Sequence, residues 1–312
     1  MAAKAQVWGD KRYHSLNFHL RQVFGQKVFK ISLDAGFNCP NRDGSLGTGG
    51  CIYCSARGSG DFAGDASLEL KTQFQTVREK LQTKWSHAKY IGYFQAYTNT
   101  YGSADDIKNM YIAILTEKDV VGLAIATRPD CLPAAILDLL QVLNRQTYLW
   151  VELGLQTSHD RTLSLINRGH DYQAFVTAVE VLCSREIQVC AHIILGLPGE
   201  SREDMMATAS RIARLPLAGL KIHLLHVLRG TPLAQLYEQG GVKLLGQKEY
   251  TELVVDILEI LPPHIVIHRL TGDGPPEDLI GPLWSRKKWE VLNGIDAELQ
   301  QRNTWQGRLW QP

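Results

Sequence analysis

The chain has 312 residues, 45% of them hydrophobic and 21% charged, with a formal net charge of +1. This balance excludes a disordered polyelectrolyte and a chain dominated by nucleic-acid-like electrostatics, though not a local basic patch. Six cysteines are too few and too uneven for a disulfide scaffold, no apolar run resembles a secretory signal, and none reaches the about 18 residues of a membrane span, so a reducing, cytoplasmic setting is expected.

Residues 1–27 form a basic extension. Lys4, Lys11, Arg12, Arg21 and Lys27 stand against the single acid Asp10, interleaved with Trp8, Tyr13, His14, Phe18 and His19. From residue 28, apolar runs rich in β-branched and aromatic residues alternate with segments of helical period. The predicted strands are Val28–Leu33, Tyr90–Ala96, Gly122–Ala126, Leu149–Leu155, Val189–Leu195 and Leu220–Leu225. Helices are predicted over Leu68–Trp85, Asp105–Leu115, Pro133–Asn144, Tyr172–Ser184 and Glu203–Leu215, with capping signals in "GSADD" and "SREDMM". Such repetition implies α/β architecture with parallel strands and right-handed crossovers. Six units over residues 28–225 suit a closed or a partial barrel, since a full eight-unit barrel takes about 250 residues. Residues 226–312 form an α/β extension on the substrate side. It contains a helix near Gly246–Leu261, the strand-like "IVIHRL" and a helical segment near Lys287–Gln301.

Three of the six cysteines crowd into "NCPNRDGSLGTGGCIYC", five residues beyond the first strand. Eleven residues separate Cys39 from Cys51, and two separate Cys51 from Cys54. Thiolates at this spacing bind soft metals. A structural zinc site needs a fourth ligand, which would have to be a distant histidine or Cys131, Cys183 or Cys190, all in or beside predicted core elements. An iron–sulfur cube held by three thiolates leaves one iron open for chemistry. Gly44, Gly47, Gly49 and Gly50 let the backbone wrap a bulky group. Barrel active sites lie at the C-terminal ends of the strands, where this loop sits.

The loop resembles the cluster loop of radical S-adenosylmethionine (SAM) enzymes. Its long first gap and "SLDAGFNCPNRDG" resemble the YhcC-like branch, related to the elongator catalytic subunit. "TRPD", "VELGLQT", "INRGHD", "HIILGLPGE" and the tail "HRLTGDGPPEDLIGPLWSRKKWEVLNGIDAEL" extend the resemblance, in order, over nearly the whole chain. It implies a partial (β/α)6 TIM-like barrel of the radical SAM type. It also implies a [4Fe–4S] cluster on Cys39, Cys51 and Cys54, with SAM on the open iron cleaved to a 5′-deoxyadenosyl radical. An electron donor such as flavodoxin or ferredoxin would be needed. Tyr53 fits the aromatic residue usual before the third cysteine.

Strand parity adds a separate indication, because residues i and i+2 share a face. Tyr93, Gln95 and Tyr97 share one face of the second strand, Glu152, Gly154 and Gln156 one of the fourth, and Cys190, His192 and Ile194 one of the fifth. Parallel strands buried on both faces read as apolar runs, so Gln95, Glu152, Gln156 and His192 together point to a ligand pocket. The resemblance puts Glu152 and Gln156 at the SAM ribose and Gln95 at the methionine amino group. It puts Arg168 at the methionine carboxylate, and the tight turn "GLPGE" after the fifth strand, where Gly196 and Gly199 permit close backbone approach, suits packing against adenine.

Candidate substrate residues at the barrel mouth are Tyr97, Asn99, Tyr101, His223, His226 and Arg229. His223 and His226 cannot both face inward on a regular strand, because their separation is odd. Relatives in this branch modify the C5 side chain of wobble uridine in tRNA, which the resemblance extends to this chain. The basic, aromatic N-terminal segment and "WSRKKW" at Trp284–Trp289 suit an RNA partner. The alternatives are a radical enzyme acting on a small metabolite and a non-catalytic metal or redox-sensing module.

Overall fold

Local signals in the sequence place the elements. The structure, a computed structural model, describes residues 6–58 and 60–311, so Lys4 lies outside the described residues. The first helix, α1 (Leu16–Phe24), begins where the Ser15 side chain accepts from the Phe18 amide and ends at Gly25 with φ 68°. There follow β1 (Val28–Leu33), α2 (Leu70–Gln82), β2 (Lys89–Phe94), α3 (Ala104–Leu115), β3 (Val120–Thr127), α4 (Ala134–Asn144), β4 (Tyr148–Gln156) and α5 (Asp160–Leu165). Next come α6 (Tyr172–Ser184), β5 (Gln188–Leu195), α7 (Arg202–Ile212), β6 (Gly219–Leu224), β7 (Val227–Leu228) and α8 (Pro232–Glu238). The chain ends with α9 (Gln247–Ile260), β8 (Val266–Arg269), β9 (Leu279–Gly281) and α10 (Lys288–Gln301). At α7 the "SREDMM" signal is a full capping box between Ser201 and Asp204.

Strands β1 to β6 and then β8 pair side by side, every neighbour parallel. The sheet curls into an α/β half-barrel whose edge strands β1 and β8 do not pair with each other. "IVIHRL" is thus a seventh strand of the same sheet, beyond the six expected. Short β7 and β9 form a separate antiparallel ribbon.

Alternation along the strands divides the interior in two. Ile31, Leu33, Phe94, Ile125, Val151, Leu153, Ile193 and Ile222 point outward into a fully buried layer under the helices. Each such side chain contributes roughly 1.5–3 kcal/mol of burial. Residues of the opposite parity face the barrel axis. At the strands' N-terminal ends these are Val28, Ile91, Ala124 and Trp150, with Leu20 of α1 inserted among them.

Helix α1 therefore closes the floor of the half-barrel, packing on both β1 and β8. The Ile267 amide bonds the His14 carbonyl at 2.7 Å, extending the sheet beyond β8. This placement corrects the reading of the N-terminal aromatics as base-stacking groups. Trp8 is 7% exposed and stacks on His14, Tyr13 is buried, and His19 hydrogen-bonds the Tyr148 hydroxyl at 2.8 Å. Their apolar surface is spent on the floor, at the end away from the cysteine loop.

Candidate active site

The cysteine loop follows β1 and is pinned from two sides. The Asn41 amide donates to the Asn167 carbonyl at 2.6 Å, and the Asn167 amide donates to the Gly50 carbonyl at 2.7 Å. The Ile52 amide bonds the Ile166 carbonyl, and the Ile52 carbonyl accepts from Leu233 at the start of α8. Gly50 has φ 69°, and a Cβ there would come within 2.7 Å of the Arg42 side chain, so only glycine fits without displacing it.

This anchoring turns Cys39, Cys51 and Cys54 into one cavity of about 240 Å³ at the C-terminal end of the sheet. Tyr53, Gln95, Tyr97, Glu152, Gln156, Arg168, His192, His223 and His226 line the same cavity. His223 and His226 both face it because β6 ends at Leu224 and the chain turns before β7, so strand parity no longer applies. The expectation that only one could face inward is corrected.

Four predicted residues lie elsewhere. Asn99 is fully buried and donates to the Ala126 carbonyl at 2.8 Å. Tyr101 bonds Ser45 Oγ at 2.8 Å outside the cavity. Arg229 is exposed, and its backbone amide bonds the Asp278 carbonyl at 2.8 Å. Gly196, where a Cβ would lie 3.3 Å from the Leu245 side chain, is not among the residues that line the cavity.

Arg168 is the buried cation of the cysteine end. Its guanidinium donates to the Gly154 carbonyl at 2.6 Å and to Cys51 Sγ at 3.6 Å, while its Nε is buried with no hydrogen-bond partner among the described residues. Gly154 makes room for it, since a Cβ would lie 2.7 Å from the guanidinium. Arg128, itself clamped on Asp130 at 2.8 and 2.9 Å, donates to the Arg168 carbonyl and holds that turn in place. The Cys54 thiol, and then Arg168, hold the Cys51 thiol well below its ordinary range despite burial. The shared proton with Cys51 and burial push Cys54 up. Among the described residues no three ligating side chains converge on one ion. The three thiols instead surround a common space, which fits a cluster whose thiolates bind separate irons. An all-thiolate set beside a cation, on a glycine-wrapped loop, is the donor chemistry such a cluster requires.

Deeper in the barrel lies a second polar group that sequence reasoning only partly found. Glu152 is wholly buried. It accepts from His192 Nε2 and Trp150 Nε1, each at 2.9 Å, and from Lys221 Nζ, with Lys30 Nζ at 3.6 Å. Lys221 also donates to the Tyr93 hydroxyl at 2.9 Å. Burial alone would raise the carboxyl, yet Lys221 and Lys30 hold it well below the usual carboxylate range. Burial draws Lys221 down to about 7 against the pull of Glu152, so the carboxyl is already ionised where the ammonium begins to lose its proton. Lys30, Lys221, His268 and Arg269 were missed. The signal was present: "VFKISL" and "GLKIHL" each place one lysine inside an otherwise apolar parallel strand.

Comparison with known proteins matches the Radical SAM superfamily over residues 39–212 and the Radical SAM C-terminal domain over residues 217–301. The chain is 54% identical to YtqA of Bacillus subtilis over 97% of this chain and 94% of that protein. It is 36% identical to YhcC of Escherichia coli K12 over 94% and 95% of the two chains. It is 33% identical to the tRNA uridine(34) acetyltransferase of Dehalococcoides mccartyi, over 50% of this chain and 34% of that one. Among solved structures, Elp3 of Methanocaldococcus infernus shares the fold with a TM-score of 0.67 and 18% identity, over 89% of this chain and 64% of that chain.

Proposed function

This chain belongs to the Radical SAM superfamily, whose members use a [4Fe–4S] cluster and SAM, and from that premise we propose that it modifies the C5 side chain of wobble uridine in tRNA. The observation that carries the chemistry is the convergence of Cys39, Cys51 and Cys54 on one cavity with Arg168 behind Cys51. When bound, the cluster and SAM supply a 5′-deoxyadenosyl radical by one-electron reductive cleavage, with the electron drawn from a donor such as flavodoxin or ferredoxin.

The chain's own residues hold and enclose the reactants. Cys39, Cys51 and Cys54 would hold the cluster. Arg168, a planar cation beside Cys51, suits the SAM carboxylate. Gln95 and Gln156 present amide groups from β2 and β4 into the cavity, as befits contacts to the amino and ribose groups of SAM. Tyr97 hydrogen-bonds the Ala56 carbonyl and closes the side next to the cysteine loop. Exclusion of water follows from the floor built by α1 and the inner strand residues, which leaves the mouth as the route in.

The tRNA assignment draws on the likeness to the wobble-uridine acetyltransferase and on the surface near the mouth. Trp289 is 76% exposed beside Lys287 and Lys288. Lys288 bonds Asp273, a residue of the cavity wall. An exposed indole flanked by cations suits a base and its phosphates. The nucleoside profile of tRNA from a deletion strain tests this reading. Loss or change of a wobble-uridine modification is expected, and an unchanged profile would refute it in favour of a small metabolite.

A further inference from the structure

The wall of the cavity opposite the cysteine loop carries charge that the cluster and the SAM-contacting residues leave unused. The loop follows β1, whereas this wall is built from β6, β8 and the segment after β8, at the other edge of the half-barrel. Three cations stand there or directly behind it, Lys221, Arg269 and Lys288, against Asp273 and, reaching in from β4, Glu152, which Lys30 of β1 approaches from the other side. Asp273 is engaged by Lys288 at 2.6 Å. The side chain of Arg269, 34% exposed at the cavity, has a single carboxylate partner among the described residues, Asp273 at 3.9 Å, beyond hydrogen-bond reach, and its charge is felt by Lys221 beside it. His223 Nε2 is buried with no hydrogen-bond partner among the described residues, and its ring lies against His192 at 5.3 Å between centroids. Gly272 brings the covering loop close over His223 and His226, as a Cβ there would lie 3.6 Å from the first ring and 3.3 Å from the second.

We propose that this wall is a subsite for a compact oxyanion of the substrate, a carboxylate or a phosphate, gripped by the Arg269 fork, Lys221 and His223. A guanidinium with idle donors matches two oxygens of such a group in one plane. Lys221 is already shared with Glu152, and burial draws it down to about 7, so a second anion would favour its charged form. The proposal rests on this cavity being the reaction site, whichever substrate enters it.

The test uses the full-length, cluster-reconstituted protein with SAM at saturation. Acetate and inorganic phosphate are titrated separately against chloride at constant ionic strength, by calorimetry. One of the two should bind with one-to-one stoichiometry, and Arg269→Gln should weaken it by about tenfold or more. Lys221→Met should do the same; if that variant does not fold, the partly exposed Arg269 decides alone. Preference for acetate assigns a carboxylate-bearing substrate, and preference for phosphate assigns a phosphorylated one. Absence of binding by either anion, binding that Arg269→Gln leaves unchanged, or binding abolished by SAM would overturn the subsite. SAM cleavage is measured on the same preparation. Cleavage without anion binding sinks only the subsite, and anion binding without cleavage sinks only the enzymatic reading.

Discussion

Replacing Lys221 by methionine should be among the most damaging single changes in the barrel. The change keeps the volume of the stem but leaves the wholly buried Glu152 carboxylate without its closest cation. Removing one partner of a buried ion pair costs about 3–5 kcal/mol. His192 at 2.9 Å and Lys30 at 3.6 Å remain to share the charge, so the lower end, about 3 kcal/mol, is expected. For a chain of this length that corresponds to a fall in Tm of about 4–5 °C. The double variant Glu152→Gln, Lys221→Met removes the stranded charge, and it should melt above the Lys221→Met single variant. Scanning calorimetry on wild type, both single variants and the double variant measures the coupling, expected to exceed about 1 kcal/mol. A Lys221→Met loss under about 1 °C, or purely additive costs, would show that the pair is not the electrostatic centre of the barrel.

Acid should destabilise the fold well above the ordinary carboxylate range. Burial pulls His192, His226 and His268 down to about 4, so between pH 6.5 and 4 the unfolded chain binds protons that the folded chain refuses, and stability rises with pH across that window. Tm should therefore drop between pH 7 and pH 5, less steeply in His226→Asn; a flat profile would refute the neutral-histidine interior. Gly154→Ala should cost about 1–3 kcal/mol and suppress SAM cleavage, because the new methyl would lie 2.7 Å from the Arg168 guanidinium; unchanged cleavage would remove Arg168 from the site. Trp289→Ala should weaken tRNA binding by about 1–3 kcal/mol with Tm unchanged, whereas Trp8→Ala should lower Tm and leave tRNA binding alone; the reverse pattern would put the RNA surface at the N-terminus.

Much of this arrangement was legible in the sequence because its signals are local. Alternation within each strand separated Glu152, Gln156, Gln95 and His192 from the outward-facing core, and the structure brings all four to one cavity. The three-cysteine loop stood out by composition and spacing alone. What parity could not supply was the path of the chain after a strand ends. His226 reaches the cavity through the bend after Leu224, and Arg269 reaches it because β8, about forty positions into the tail, adds to the same sheet. The N-terminal aromatics show the opposite limit. Trp8, Tyr13 and His19 interleave with cations as an RNA-binding segment would, but the floor of an open barrel needs apolar cover and takes them. Asn99 and Gly196 sit close in sequence to lining residues yet turn into packing against Ala126 and Leu245.

The most direct measurement is anaerobic reconstitution of wild type and Cys51→Ala, followed by quantification of bound metal and of 5′-deoxyadenosine after addition of SAM and dithionite. The account predicts about four irons per wild-type chain, release of 5′-deoxyadenosine by wild type, and none from Cys51→Ala with the fold retained. Zinc in place of iron with no cleavage, or continued 5′-deoxyadenosine release from Cys51→Ala, would contradict it.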